Sequence, residues 1–270
     1  MTFDDLAERG LVLLGCGKMG SAMLQGWLKQ GLPPQSVWVQ EPRPSDWLQA
    51  QGVHLNEGLP ASPAVVLIAV KPQMMQDALP ALSALGGGGT VFLSVAAGIS
   101  IARYEALLGS GTPVIRAMPN TPAAVGRGIT ALIGNAHADN AALTLAEALL
   151  SAVGQVVRLE HEGQMDAVTA VSGSGPAYVF HLIETLAAAG EAEGLPPDLS
   201  LHLARATVAG AGVLAEEAGA GPAQLRENVT SPAGTTAAAL AVLMDEAQGF
   251  PALLRRAVQA AAARSRELGQ

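Results

Sequence analysis

Two hundred and seventy residues, half of them hydrophobic, suffice for one large domain or two smaller ones with a sizeable core. Fifteen Lys and Arg against 23 Asp and Glu leave a net charge of −8 and no basic cluster, which argues against a nucleic-acid partner. The longest apolar runs are far too short to span a bilayer, the start of the chain is acidic where a signal peptide is basic, and the single Cys16 excludes an internal disulfide, so a soluble cytoplasmic protein is expected.

Apolar runs at 11–14, 37–39, 65–70, 91–95, 114–118 and 131–133 alternate with segments of helical spacing at 19–30, 45–51, 73–85, 101–108 and 139–153. That alternation predicts an α/β fold, a Rossmann-type parallel sheet. A last strand is expected at 155–159, after which the strand signal stops. From there the chain is Ala-rich, with helices expected at 163–171, 177–193, 198–218, 222–228, 235–245 and 251–268. The boundary is placed near 160, giving a dinucleotide-binding domain over 1–160 and an all-helical domain over 161–270. The later helices carry Ala and Leu on several faces, so packing across a subunit boundary is expected.

Gly15-Cys16-Gly17-Lys18-Met19-Gly20 follows the first strand and opens a helix, which is the context in which a GxGxxG segment binds a dinucleotide. The first glycine permits the tight turn, the second the approach of a pyrophosphate, and the third close packing of helix on strand. The pyrophosphate would sit on the free amides at the helix start. Glu41 stands where an acidic residue bonds the ribose of NAD, whereas Arg43 could hold the 2′-phosphate of NADP; both could equally be solvated charges in a Pro-rich turn. The five histidines show no ligand spacing, so no metal site is expected. No lysine follows Lys71, which excludes a mechanism that needs one in the second half.

Four further segments occur in order: Ala69-Val70-Lys71-Pro72; Arg116-Ala117-Met118-Pro119-Asn120-Thr121-Pro122; Ser172-Gly173-Ser174-Gly175-Pro176-Ala177-Tyr178; and Val229-Thr230-Ser231-Pro232-Ala233-Gly234-Thr235-Thr236. With the glycine loop, they resemble pyrroline-5-carboxylate reductase over nearly the whole chain. The resemblance implies reduction of 1-pyrroline-5-carboxylate to L-proline by hydride from NADPH, with NADH as the alternative, in a homodimer or higher homo-oligomer joined through the helical domain. It implies that Gly15, Gly17, Met19 and Gly20 hold the pyrophosphate, with Lys18 of the same loop counted as cofactor-binding although its side chain is read as solvated, and that Asn56 and the backbone around Val70, Lys71 and Pro72 line the adenosine and ribose side. Asn120 and Thr121 would lie near the nicotinamide. Ser231, Gly234, Thr235 and Thr236 would cradle the substrate, with the Thr236 side chain nearest the ring nitrogen. One departure is Ala233, which stands where a second glycine is usual and could narrow the cradle. Thr235 is expected to cap the helix that follows.

Overall fold

The computed structural model describes residues 3–269. In chain order the elements of the first part are α1 (Phe3–Arg9), β1 (Leu11–Leu14), α2 (Lys18–Lys29), β2 (Val37–Gln40), α3 (Asp46–Gln49), β3 (His54–Leu55), β4 (Val65–Ile68), α4 (Met75–Ala78), β5 (Val91–Ser94), α5 (Ile101–Leu108), β6 (Val114–Met118), β7 (Gly128–Gly134), α6 (Asn140–Ser151), β8 (Gly154–Arg158) and α7 (Met165–Val168). The strands form one sheet in the order β3-β2-β1-β4-β5-β6-β7-β8. All pairings are parallel except that between β6 and β7. The expected α/β class is the one observed.

The central strands β1 and β4 are apolar and buried at every position because both faces of a parallel sheet are covered. Period-two alternation then splits each strand between two cores. Leu11, Leu13, Val65, Leu67, Val91 and Leu93 pack on one face with Trp27 and Leu149, while Val12, Leu14, Val66, Ile68 and Phe92 pack on the other with Leu79 and Tyr104. The buried Trp27 indole keeps its hydrogen bond by donating to the Leu149 carbonyl at 2.8 Å.

Three of the expected elements differ in extent or form, and α1 and β3 form where none was expected. The helix expected over 73–85 is only the four residues of α4, flanked by 3-10 turns at Pro72–Met74 and Leu79–Leu85, because Pro80 cannot donate to a helical ladder. The strand expected at 131–133 extends over Gly128–Gly134, and its short connection from β6 has no crossover helix, so it returns antiparallel. The helix expected over 163–171 is α7 between a 3-10 turn at Glu162–Gln164 and a π-helical turn at Thr169–Gly173.

The chain divides by packing into two compact units, one running to Gly173 and including the chain from Ala262 onward, the other Ser174–Ala261. Residues 161–173, which the sequence assigns to the helical domain, thus pack with the sheet. The second unit holds α8 (Gly175–Ala192), α9 (Pro197–Glu217), α10 (Pro222–Asn228), α11 (Thr235–Leu243) and most of α12 (Phe250–Leu268). α8 and α9 pack along each other, and Ser200 on α9 donates to the Ala187 carbonyl at 2.6 Å, filling the space opposite Gly190. Few side chains of this unit are buried, and Phe180, Leu203, Leu214 and Val242 stand 45–71% exposed. Among the described residues no helix is long and apolar enough to cross a membrane.

Candidate active site

β1, β2, β4, β5 and β6 run parallel, so the loops that leave their C-terminal ends share one edge of the sheet. The strand order turns back between β1 and β4, and it is at such a point that open α/β sheets leave a crevice for a ligand. The glycine loop enters it from β1, and Val70, Lys71 and Pro72 enter from β4.

Each glycine of the loop has its own reason. Gly15 takes φ +87°, and a Cβ there would lie 2.8 Å from Val70 Cγ1; a Cβ on Gly20 would lie 2.5 Å from the Gly15 carbonyl oxygen. Gly17 differs, because a Cβ there would meet nothing within 4 Å. Packing does not require a glycine at that position, whereas backbone approach to a ligand does. Gly17 is the N-cap of α2 with no side-chain cap, which leaves the first-turn amides, Lys18 and Met19 among them, open to an acceptor. This set of donors at the start of a twelve-residue helix fits a pyrophosphate. The Lys18 side chain is exposed beside it.

Glu41, Arg43 and Asn56 converge at the end of β2. The Cys16 amide donates to Glu41 Oε2 at 2.8 Å and the Arg43 amide to Glu41 Oε1 at 3.0 Å. Asn56, at φ +55°, clasps the Glu41 backbone: its Oδ1 accepts from the Glu41 amide at 2.9 Å and its Nδ2 donates to the Glu41 carbonyl at 3.0 Å. Asparagine tolerates this left-handed conformation better than most residues. The Glu41 carboxylate is therefore built into the glycine loop, a tie that sequence spacing alone did not reveal. The exposed Arg43 guanidinium has no partner among the described residues. Burial, and after it the Glu41 charge, push the Cys16 thiol up to about 11, so no thiolate faces the phosphate site at neutral pH.

At the end of β6, Asn120 Oδ1 accepts from the Ile129 amide at 3.0 Å and its Nδ2 donates to Ser172 Oγ at 3.4 Å, with Thr121 exposed beside it. Ser172 belongs to the π-helical turn, and Gly173 leaves room there for the Met118 side chain. Ser172 stands in a motif that the sequence analysis quoted without giving it a role.

In the second unit, Ser231, Gly234, Thr235 and Thr236 form a turn that opens α11. Gly234 is the N-cap, so Thr235 is the first helical residue and the expected capping role for it does not hold. A Cβ on Gly234 would lie 2.3 Å from Ser231 Oγ. Ala233 adopts φ +56°, the left-handed conformation that favours glycine. Among the described residues the hydroxyls of Ser231, Thr235 and Thr236 have no hydrogen-bond partner, and α11 has no side-chain cap. Free hydroxyls and free amides at one helix start suit a carboxylate. His181 sits apart on α8, exposed and 3.2 Å from Glu184. Among the described residues no group of His, Cys, Asp and Glu could hold a metal ion.

A family model described as pyrroline-5-carboxylate reductase dimerisation matches residues 162–268, and one described as NADP oxidoreductase coenzyme F420-dependent matches residues 10–98. The pyrroline-5-carboxylate reductase of Pseudomonas aeruginosa is 40% identical over 266 residues, covering 96% of this chain and 97% of that one. A solved pyrroline-5-carboxylate reductase from Coxiella burnetii matches with a TM-score of 0.90 at 33% identity, over 97% of this chain and 99% of that one. Plasmodium falciparum pyrroline carboxylate reductase, solved with NADP bound, matches with a TM-score of 0.83 at 27% identity, over 97% and 98%. With a mostly parallel sheet and likeness along its whole length, the chain belongs to the pyrroline-5-carboxylate reductase family.

Proposed function

We propose that this chain reduces 1-pyrroline-5-carboxylate to L-proline with NADPH, the last step of proline biosynthesis, in the cytoplasm. The observation that carries this reading is the likeness to pyrroline-5-carboxylate reductases over 96% of the chain. The functional division falls near 160, with 1–160 holding the dinucleotide and 161–270 the substrate. The dimerisation model over 162–268 and the exposed apolar side chains of α8, α9 and α11 support a homodimer or higher homo-oligomer joined through the helical part.

The chemistry asks for placement more than for a strong acid. A protonated cyclic imine is already electrophilic at carbon, and a bound nicotinamide supplies the hydride. Holding two reactants in order lowers a barrier by about 7 to 11 kcal/mol in favourable cases. The amides of Gly17, Lys18 and Met19 bind the pyrophosphate, with Gly15 and Gly20 shaping the turn beneath them. Asn56, Val70, Lys71 and Pro72 wall the adenosine and ribose side, and Asn120 and Thr121 the nicotinamide side. Since both Glu41 oxygens already accept backbone amides, while the Arg43 guanidinium has no partner among the described residues, the ribose end suits a 2′-phosphate and hence NADP better than NAD. Ser231, Gly234 and Thr235 hold the substrate carboxylate. Thr236 is the catalytic hydroxyl, hydrogen-bonded to the ring nitrogen and steadying its proton.

The test is consumption of NADPH on addition of 1-pyrroline-5-carboxylate, followed by absorbance, with proline identified as product. Turnover with NADPH is expected; none with either NADPH or NADH overturns the proposal.

A further inference from the structure

Arg116 opens a motif to which the proposed reaction assigns no task, although its charged side chain is only 8% exposed on β6. Its Nη1 donates to Glu162 Oε1 at 2.7 Å, and the same oxygen accepts from the Ile101 amide at 2.9 Å. Ile101 is the first residue of α5, so Glu162 acts as a distant cap on an amide that the helix cannot satisfy itself. At the other end of loop 95–100, the Ala96 amide donates to Ser94 Oγ, which is hydrogen-bonded to the buried Tyr104 hydroxyl. Burial, partly offset by Ser94 and Arg116, pushes that phenol up to about 12, so it stays neutral. The apex of the loop is covered as well. Gly98 takes φ +79°, and a Cβ there would lie 3.3 Å from Leu268 Cβ at the end of α12, which Ser265 ties to Asp166 at 2.6 Å.

Loop 95–100 is thus held by hydrogen bonds at its start and end and covered at its apex, and it leaves β5 between the nucleotide loop of β4 and the Asn120 segment of β6. A flexible surface loop has no use for such fixings. We infer that Glu162 is a positioning residue for the hydride transfer: its carboxylate locks loop 95–100 to β6, the strand that carries Asn120, and so aligns the nicotinamide end of the crevice. The pyrophosphate end depends on other residues. The inference rests on the proposed reduction.

Glu162→Ala in the full-length enzyme is therefore expected to lower kcat by about 10 to 100 fold while NADPH affinity, read by fluorescence titration, changes by less than about threefold. Hydride transfer becomes rate-limiting, so the primary isotope effect on kcat rises with NADPH deuterated at the transferred position. Amide exchange over 95–101 quickens, and Glu162→Gln, which keeps an acceptor for Ile101, recovers part of the rate. A wild-type kcat, an unchanged isotope effect, or unchanged exchange in folded Glu162→Ala overturns the role. If that variant does not fold, Glu162→Gln, which keeps an acceptor for Ile101 but loses the charge opposite Arg116, should by itself lower kcat below wild type with a raised isotope effect; an unchanged kcat overturns the role. Wild-type enzyme without turnover overturns the proposed reduction and this role together, whereas wild-type turnover with an unaltered Glu162→Ala rate overturns this role alone.

Discussion

The two compact units satisfy themselves to different degrees. In the first, strands buried on both faces feed two cores, and buried polar groups such as the Trp27 indole and the Ser94 hydroxyl find partners within the unit. In the second, α11 has no buried residue at all, three hydroxyls at its start have no partner among the described residues, and large apolar side chains face outward along α8 and α9. A sheet covered by helices closes its own core, whereas a few Ala-rich helices have too little volume to cover one another. The first unit closes its own core, and the second leaves apolar faces and hydroxyls uncovered.

The largest expected effect separates ligand need from packing need within the glycine loop. Gly17→Asp should abolish NADPH binding, a loss of at least about 100-fold in a fluorescence titration, because a carboxylate enters the space of the pyrophosphate and repels it. The same change should leave the melting temperature nearly unaltered, since a Cβ at Gly17 meets nothing within 4 Å. Gly15→Ala should do the reverse in kind and destabilise the fold through its positive φ and its contact with Val70. Unchanged NADPH affinity in Gly17→Asp would show that the open amides do not hold the phosphate.

Next comes the turn in the helical unit. Thr236→Ala should lower kcat/KM by roughly 10 to 150 fold, the worth of about 1.5 to 3 kcal/mol for a hydrogen bond to a charged group, while NADPH affinity stays intact. Thr235→Ala should cost less, as in the proposed site its hydroxyl would share the carboxylate with Ser231 and the backbone. Equal small losses for both would mean that backbone placement alone carries the reaction.

The exposed apolar faces offer a third test. Phe180→Glu, at a position 58% exposed, should weaken the homo-oligomer by about 30-fold, or roughly 2 kcal/mol, if a second copy covers it. Sedimentation at micromolar concentration reads the shift, and an unaltered assembly would place the interface elsewhere. The smallest effect belongs to Ala233. Relieving its left-handed strain in Ala233→Gly should stabilise the protein against urea by up to about 1 kcal/mol, less the entropy that glycine adds to the unfolded chain.

Much of this was legible in the sequence. Apolar runs bounded by Gly and Pro locate most of the strands, since burial on both faces leaves an uninterrupted hydrophobic signal, and the glycine loop announces itself because its conformation and close approach admit few residues. Where a local rule competed, the outlines blurred: Pro80 cut short a helix that periodicity extends, and the two residues of β3 are too few to show a period. Sequence alone also determined the order of motifs, and with it the family to which the chain proved to belong. Only the tertiary structure decided what the charged residues do. Spacing leaves Glu41 open between a ribose contact and a solvated charge, whereas in the structure its carboxylate fastens the Cys16 amide; Arg116 and Glu162, far apart along the chain, meet at 2.7 Å over the Ile101 amide. Hydrogen bonds between distant segments depend on where the sheet carries each strand end, and no local pattern of residues encodes that.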